Sequence, residues 1–248
     1  MARNENWWYT VFRKRMAGAT DAELPALYEE VYRDYLCKEK GHNPFYGVKP
    51  ISANNNGVLL FSNISNDYSF VRFLMRDHIK NSSVLELGCG ITSFPFILVT
   101  DGAKVYATDI RTELITHLQG FIQLLPDELQ KNIRFDCALA EKLPYEDGFF
   151  DIVIGIDFIE HIRDLDRLMN EVTRVLKPGG RAYFTTPVEG LGWSPEHLHD
   201  LDEGKITTLF SAHGFEVKIY LERYSWSFLN PNSYIIEAKS KGRGKNNV

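Results

Sequence analysis

Asp157, Glu160 and His161 stand at i, i+3 and i+4, so if a helical turn begins there all three side chains project to one side. Two carboxylates beside an imidazole can hold and move a proton. An imidazole titrates near neutrality, which suits it to take a proton from a hydroxyl. His161 is therefore the preferred general base, and Asp157 the second candidate catalytic residue. The trio follows the apolar run Asp151 to Ile156, so the exit of a buried strand must position it.

A second constellation lies upstream. Val84-Leu85-Glu86-Leu87-Gly88-Cys89-Gly90 is an apolar run with one carboxylate that ends in two closely spaced glycines. Glycines permit positive φ and let the main chain approach a ligand, and Thr92 or Ser93 can cap the helix that follows. About twenty residues on, the run Lys104-Val105-Tyr106-Ala107-Thr108 ends in Asp109, a carboxylate able to accept both hydroxyls of a ribose. This much suits NAD as well as S-adenosylmethionine, so the ribose site does not choose the chemistry.

The choice comes from Arg174-Val175-Leu176-Lys177-Pro178-Gly179-Gly180, preceded by Phe149-Phe150-Asp151-Ile152-Val153-Ile154 and by Glu160-His161-Ile162. In this order the set resembles class I S-adenosylmethionine-dependent methyltransferases over roughly residues 70 to 240, in the branch that contains ubiquinone-biosynthesis-like O-methyltransferases. The resemblance implies a doubly wound α/β domain with a mostly parallel seven-stranded sheet, S-adenosylmethionine as cofactor, and methyl transfer to a hydroxyl of a small aromatic or sugar-like acceptor. It implies that Glu86, Gly88, Cys89 and Gly90 line the methionine and ribose portion, Asp109 binds the ribose and Ile110 touches adenine. Leu139-Ala140-Glu141-Lys142-Leu143-Pro144 is similar to the family's adenine-edge loop, placing Ala140 and Glu141 at the ring, and Asp157 faces the cofactor. Thr92 stands where a third glycine is usual, and Leu139 where an acidic residue often precedes the alanine.

The pattern around Asp157, Glu160 and His161 is also similar to metal sites of ubiquinone-type and small-RNA terminal 2′-O-methyltransferases. That similarity implies an alternative in which a divalent ion, with His197 or His199 as a further ligand, lowers the acceptor hydroxyl's pKa. RNA is then a competing acceptor, and a cofactor-binding protein that transfers nothing is a third reading.

Stepwise alternation of strand-like and helix-like segments from Ser83 onward is what a parallel sheet covered on both faces requires. Strands are expected at Val84 to Leu87, Lys104 to Thr108, Ile133 to Cys137, Asp151 to Ile156 and Arg181 to Thr185, with two more at Phe215 to Leu221 and Ser233 to Ala238. Helices are expected near Phe94 to Thr100, Thr112 to Leu125, Asp164 to Leu176 and Glu203 to Ala212. Pro178 should stop the third of these, and Gly179-Gly180 turn the chain into the fifth strand.

Residues 1–80 read as a helical and loop cap, 81–240 as the cofactor-binding domain and 241–248 as a basic tail. In the cap, Asp21-Ala22-Glu23-Leu24 starts a helix running through Cys37, and a second helix covers Asp67 to Ile79 with Phe70, Phe73, Leu74 and Ile79 inward. Phe45, Tyr46, Tyr68 and Trp193 are candidates for a wall over the acceptor, and Trp7, Trp8, Val11 and Phe12, flanked by Arg13-Lys14-Arg15, for a helix docking on the domain, with a membrane-surface anchor as the alternative.

Composition narrows the class. The net charge of −5 disfavours a general nucleic-acid binder. Cys37, Cys89 and Cys137 lie too far apart for a CxxC pair, so a reducing compartment fits best. Without an apolar leader at the first residues or a long uncharged apolar stretch, the expected location is cytoplasmic.

Overall fold

A computed structural model describes residues 14–30, 66–90, 93–188, 196–222 and 233–242. Seven strands form one sheet: β1 (Ser83–Leu87), β2 (Lys104–Asp109), β3 (Ile133–Cys137), β4 (Phe150–Gly155), β5 (Leu176–Pro187), β6 (Phe215–Glu222) and β7 (Ser233–Ser240). Their order is β3-β2-β1-β4-β5-β7-β6. The first five strands are parallel, and β7 runs antiparallel to both β5 and β6. The chain order reverses at β1, between β2 and β4, the place where an open sheet leaves a crevice beyond its carboxyl ends.

Period-two alternation sends successive residues of each strand to opposite faces. Val84, Val105, Ile152, Ile154 and Tyr183 go to one face, where they meet Val71 and Met75 of α2 (Asn66–Met75), Phe94 and Phe96 of α3 (Phe94–Thr100), and Leu114 and Leu118 of α4 (Thr112–Phe121). Leu85, Leu87, Val153 and Phe184 go to the other. There they pack on Leu168, Met169 and Val172 of α6 (Leu165–Val175) and on Ile206 and Phe210 of α7 (Glu203–Ala212). A short α5 (Asp127–Gln130) leads into β3, and α1 (Leu24–Glu30) precedes the sheet.

Local chemistry explains several helix starts. Asp164 and Asp202 cap α6 and α7 through the amides of Arg167 and Lys205, at 3.0 and 2.7 Å. Ahead of α1 the Glu23 carboxylate accepts from both the amide and the hydroxyl of Thr20, at 2.8 and 2.7 Å. Ser93 occupies the N-cap of α3, yet its hydroxyl makes no capping bond; Thr92 lies outside the described residues.

Two expectations need correction. The helix α6 ends at Val175, with Leu176 already extended at φ −74° and ψ 139°, two residues ahead of Pro178. β5 therefore begins at Leu176, ahead of Gly179-Gly180, and Gly180 lies within it where a Cβ would come within 2.9 Å of the Lys177 carbonyl oxygen. Phe73 is not inward: it is 57% exposed beneath the Arg76 guanidinium, while Val71 and Met75, four apart, supply the inner stripe of α2. The segments holding Trp7, Trp8, Val11, Phe12, Phe45, Tyr46, Trp193, Cys37 and most of the basic tail, and the side chain of Tyr68, lie outside the described residues.

Candidate functional site

The tips of β1, β2 and β4 converge on a cavity of about 280 Å³. At the first tip the chain turns through Gly88 and Gly90, both left-handed at φ 60° and 51°. A Cβ on Gly88 would lie 2.4 Å from the Phe158 ring, so glycine is required by space as well as by conformation. The turn is fastened to β2: the Cys89 amide donates to the Thr108 carbonyl at 2.8 Å and the Gly90 amide to Asp109 Oδ2 at 3.1 Å.

Asp109 also accepts from the Arg111 amide and Nε, at 3.0 and 3.2 Å. A carboxylate offers about four lone-pair sites, and three are used. A diol that engages both oxygens must therefore displace the Arg111 side chain. Beyond Asp109 the cavity wall continues through Ile110, Ala138, Leu139, Ala140 and Glu141. Burial pushes the Glu141 carboxyl above its usual range, opposed by its own amide and by the charges of Arg163 and Arg167.

The third tip bends sharply. Asp157 sits exposed at φ 47°, a conformation that β-carbon sterics disfavour and that persists only where neighbours impose it. The Thr185 hydroxyl does so, accepting from the Asp157 amide at 2.8 Å and donating to Oδ1 at 3.1 Å. A single 3₁₀ turn, Ile159–His161, follows. Residues 196–199 strap across it, with Leu198 and His199 amides on the Glu160 carbonyl at 2.7 and 3.3 Å.

His161 Nδ1 lies 3.2 Å from the Glu196 carbonyl, which only accepts, so the proton sits on Nδ1 and Nε2 keeps its lone pair. Burial pushes the ring down to about 4, against the Glu196 carbonyl, which favours the charged form. A quarter of the side chain stays open, so solvent tempers that shift; the ring is neutral near pH 7. Nε2 is 3.8 Å from Glu160 Oε1. Glu160 is 1% exposed and neither of its carboxylate oxygens makes a hydrogen bond of good geometry. Desolvation, then the neighbouring Asp157, hold its carboxyl well above the usual range, and the nearby Thr186 hydroxyl only partly offsets them.

Of the residues nominated from sequence, Gly88, Gly90, Asp109, Ile110, Ala140, Glu141, Asp157 and His161 all line this cavity. Glu86 and Cys89 are buried outside its wall. Among the described residues, the ligand-type atoms that gather within 4.8 Å of one another belong to Glu160, His161 and His197. Asp157 is not in that set, because its left-handed turn directs it to Thr185. His199 Nε2 is committed to the Ile162 carbonyl at 2.7 Å. Sequence reasoning missed Leu24, Tyr28, Phe158, Ile162 and Glu196 as wall residues. Only the helical spacing of Leu24 and Leu27 hinted at any of them.

Residues 85–184 match the family model described as a methyltransferase domain. This stretch is a methyltransferase domain. Its fold extends beyond the match: a solved S-adenosylmethionine-dependent methyltransferase from Methanosarcina mazei, 22% identical, superposes over 66% of this chain and 94% of its own at a TM-score of 0.55. The [4+2]-cyclase SpnF, 18% identical, superposes over 68% and 80% at 0.57.

Three curated relatives of the methyltransferase domain differ in the acceptor atom they name. A sterol 4-C-methyltransferase of Caenorhabditis elegans is 33% identical over 41% of this chain and 30% of its own. A norajmaline N-methyltransferase of Rauvolfia serpentina is 30% identical over 49% and 38%. A ubiquinone biosynthesis O-methyltransferase of Coxiella burnetii is 30% identical over 44% and 44%. The chain thus spans less than half the length of each. No helix among the described residues is long and apolar enough to cross a membrane.

Proposed function

We propose that this protein is an S-adenosylmethionine-dependent methyltransferase that acts on a hydroxyl of a small molecule, with His161 as general base. The observation that carries the acceptor chemistry is the neutral imidazole at the cavity wall. Its Nδ1 is tied to the Glu196 carbonyl, and its Nε2 lone pair is left for a proton. Methyl transfer from a sulfonium needs alignment above all. Gly88, Gly90, Asp109, Ile110 and Ala140 would hold the cofactor along the β1 and β2 tips, and the acceptor would approach from the β4 tip beside Asp157. A hydroxyl with an ordinary pKa gains from a base there, as does a carbon acceptor that must shed a proton, whereas a neutral amine attacks through its own lone pair without one.

A second reading is favoured by a separate observation, the gathering of Glu160, His161 and His197 ligand atoms within 4.8 Å, with both Glu160 oxygens buried and neither in a hydrogen bond of good geometry. A divalent ion there fits an N/O donor set, and when bound it would supply Lewis acidity to the acceptor oxygen. His161 is then a ligand rather than the base, and an RNA 2′-hydroxyl joins small molecules as an acceptor class.

One experiment separates these readings: label transfer from methyl-labelled S-adenosylmethionine to fractionated metabolites and to RNA, with and without a chelator. His161→Gln should cut turnover about 10²- to 10³-fold while leaving cofactor affinity within twofold. Chelator-insensitive labelling of a hydroxylated metabolite supports the base. Labelling restored only by added metal supports the ion. Binding of S-adenosylmethionine without any labelled product would instead favour a protein that holds the cofactor for other chemistry, as the fold of a [4+2]-cyclase permits.

A further inference from the structure

We infer that residues 16–28 form a latched lid over the cofactor, that Leu24 and Tyr28 contact it, and that Asp21 is the latch; this rests on the S-adenosylmethionine reading above. Leu24 and Tyr28 line the same cavity as Gly88, Asp109 and Glu141. Met16, Leu24 and Leu27, spread along the segment, form a small apolar cluster that closes on Ile110 and Leu139, beyond the tips of β2 and β3, and on Leu198 of the strap. Beside Leu27 the Tyr28 hydroxyl reaches further and donates to the His161 carbonyl, beyond the tip of β4. The segment therefore bridges the mouth of the crevice from the adenine side to the transfer side, the span that an adenosine with its methionine tail must occupy.

The fastening is of a kind that opens. Asp21 accepts from Arg163 Nη2 at 2.7 Å and from Arg167 Nη1 and Nη2 at 3.1 and 2.9 Å, and Arg163 also donates to the Ala19 carbonyl. Those bonds hold the Asp21 carboxyl near about 2, so the latch keeps its charge at any physiological pH. Yet Asp21 and Arg167 are 40% and 39% exposed, and ion pairs in water are individually weak. The apolar cluster beneath holds three buried side chains, far fewer than either face of the sheet. Segments with few buried contacts are the ones that open locally while the rest stays folded. Cofactor exchange then proceeds by release of Asp21 from the two arginines. Tyr28 also transmits closure to the backbone of His161, so a seated cofactor steadies the residue that meets the acceptor.

Hydrogen exchange on the full chain with and without S-adenosylhomocysteine, together with its dissociation rate by stopped flow, tests this. The ligand should slow exchange across residues 16–28 as well as at 86–90. Asp21→Ala should raise the dissociation rate about tenfold and restore fast exchange to 16–28 in the complex, with β1 amides unchanged. Leu24→Ala should weaken binding severalfold, chiefly through faster release. Binding with no added protection of 16–28, or an Asp21→Ala dissociation rate within twofold of the parent, would overturn the lid alone. No binding of S-adenosylhomocysteine to the parent protein by calorimetry would overturn both the lid and the cofactor reading.

Discussion

Glu86 is buried and His161 half-buried near the strand tips, and desolvation acts on them with opposite sign. Glu86 is 1% exposed with neither oxygen hydrogen-bonded, and desolvation raises its pKa well above normal. A raised carboxyl contributes stability that is complete below the unfolded value of about 4.3 and is lost as pH climbs toward the folded value. Glu86→Gln removes that ionisation, so it should raise Tm at pH 8 by a few degrees, where about 1 kcal/mol corresponds to ~2–4 °C, and change little at pH 4.5. Equal effects at both pH values would show that Glu86 does not titrate in this range. His161 runs the other way. Its contribution is present above about 6.5 and fades as pH falls toward about 4, because only the unfolded chain takes up the proton between those values. If it is the base, turnover should stay level down to about pH 5.5 and its acid limb should fall below that of an ordinary histidine.

Among the elements, α6 does more than cover the sheet. Arg174 on its last turn donates to the carbonyls of Tyr145 and Leu143 at 2.7 and 3.1 Å and pairs with Asp147 and Glu171. Glu171 in turn accepts from the Leu143 amide at 2.7 Å. The helix thus clamps the loop whose beginning, Leu139 to Glu141, walls the cavity. In the sequence, Arg174 belonged to the motif that marked the fold, but its spacing announced only a helix end; loop carbonyls thirty residues upstream leave no periodic trace. Arg174→Met should lower stability by about 2 kcal/mol, since it strips charged donors from two carbonyls and two carboxylates. It should also weaken S-adenosylhomocysteine binding about tenfold. Lost stability with unchanged affinity would separate the clamp from the site.

At the scale of the molecule, what the sequence made legible is what repeats. Alternation of strands with helices and the glycine turn after the first strand implied the sheet and the crevice, Asp109 followed from its spacing, and the family resemblance added Gly88, Ala140 and Asp157 as site residues. What it concealed is the wall, because Leu24, Tyr28 and Glu196 are recruited from irregular segments by contacts across the chain, and because Asp157 escapes the helical turn that its spacing suggests. Both faces of one sheet carry the core, and α2, upstream of β1, is part of it: Val71 and Met75 pack in the same cluster as Ile235 of β7. Such sharing predicts a single calorimetric transition rather than separate melting of the upstream segment. A ligand held between three strand tips stabilises that whole unit. S-adenosylhomocysteine at 100 times its Kd should add about 2.7 kcal/mol, a rise of roughly 5–11 °C in Tm. Gly88→Ala, which drives a methyl into the Phe158 ring and strains a left-handed residue, should lower the ligand-free Tm and abolish most of the rise. A full rise in that variant would mean that the ligand does not sit against the β1 turn.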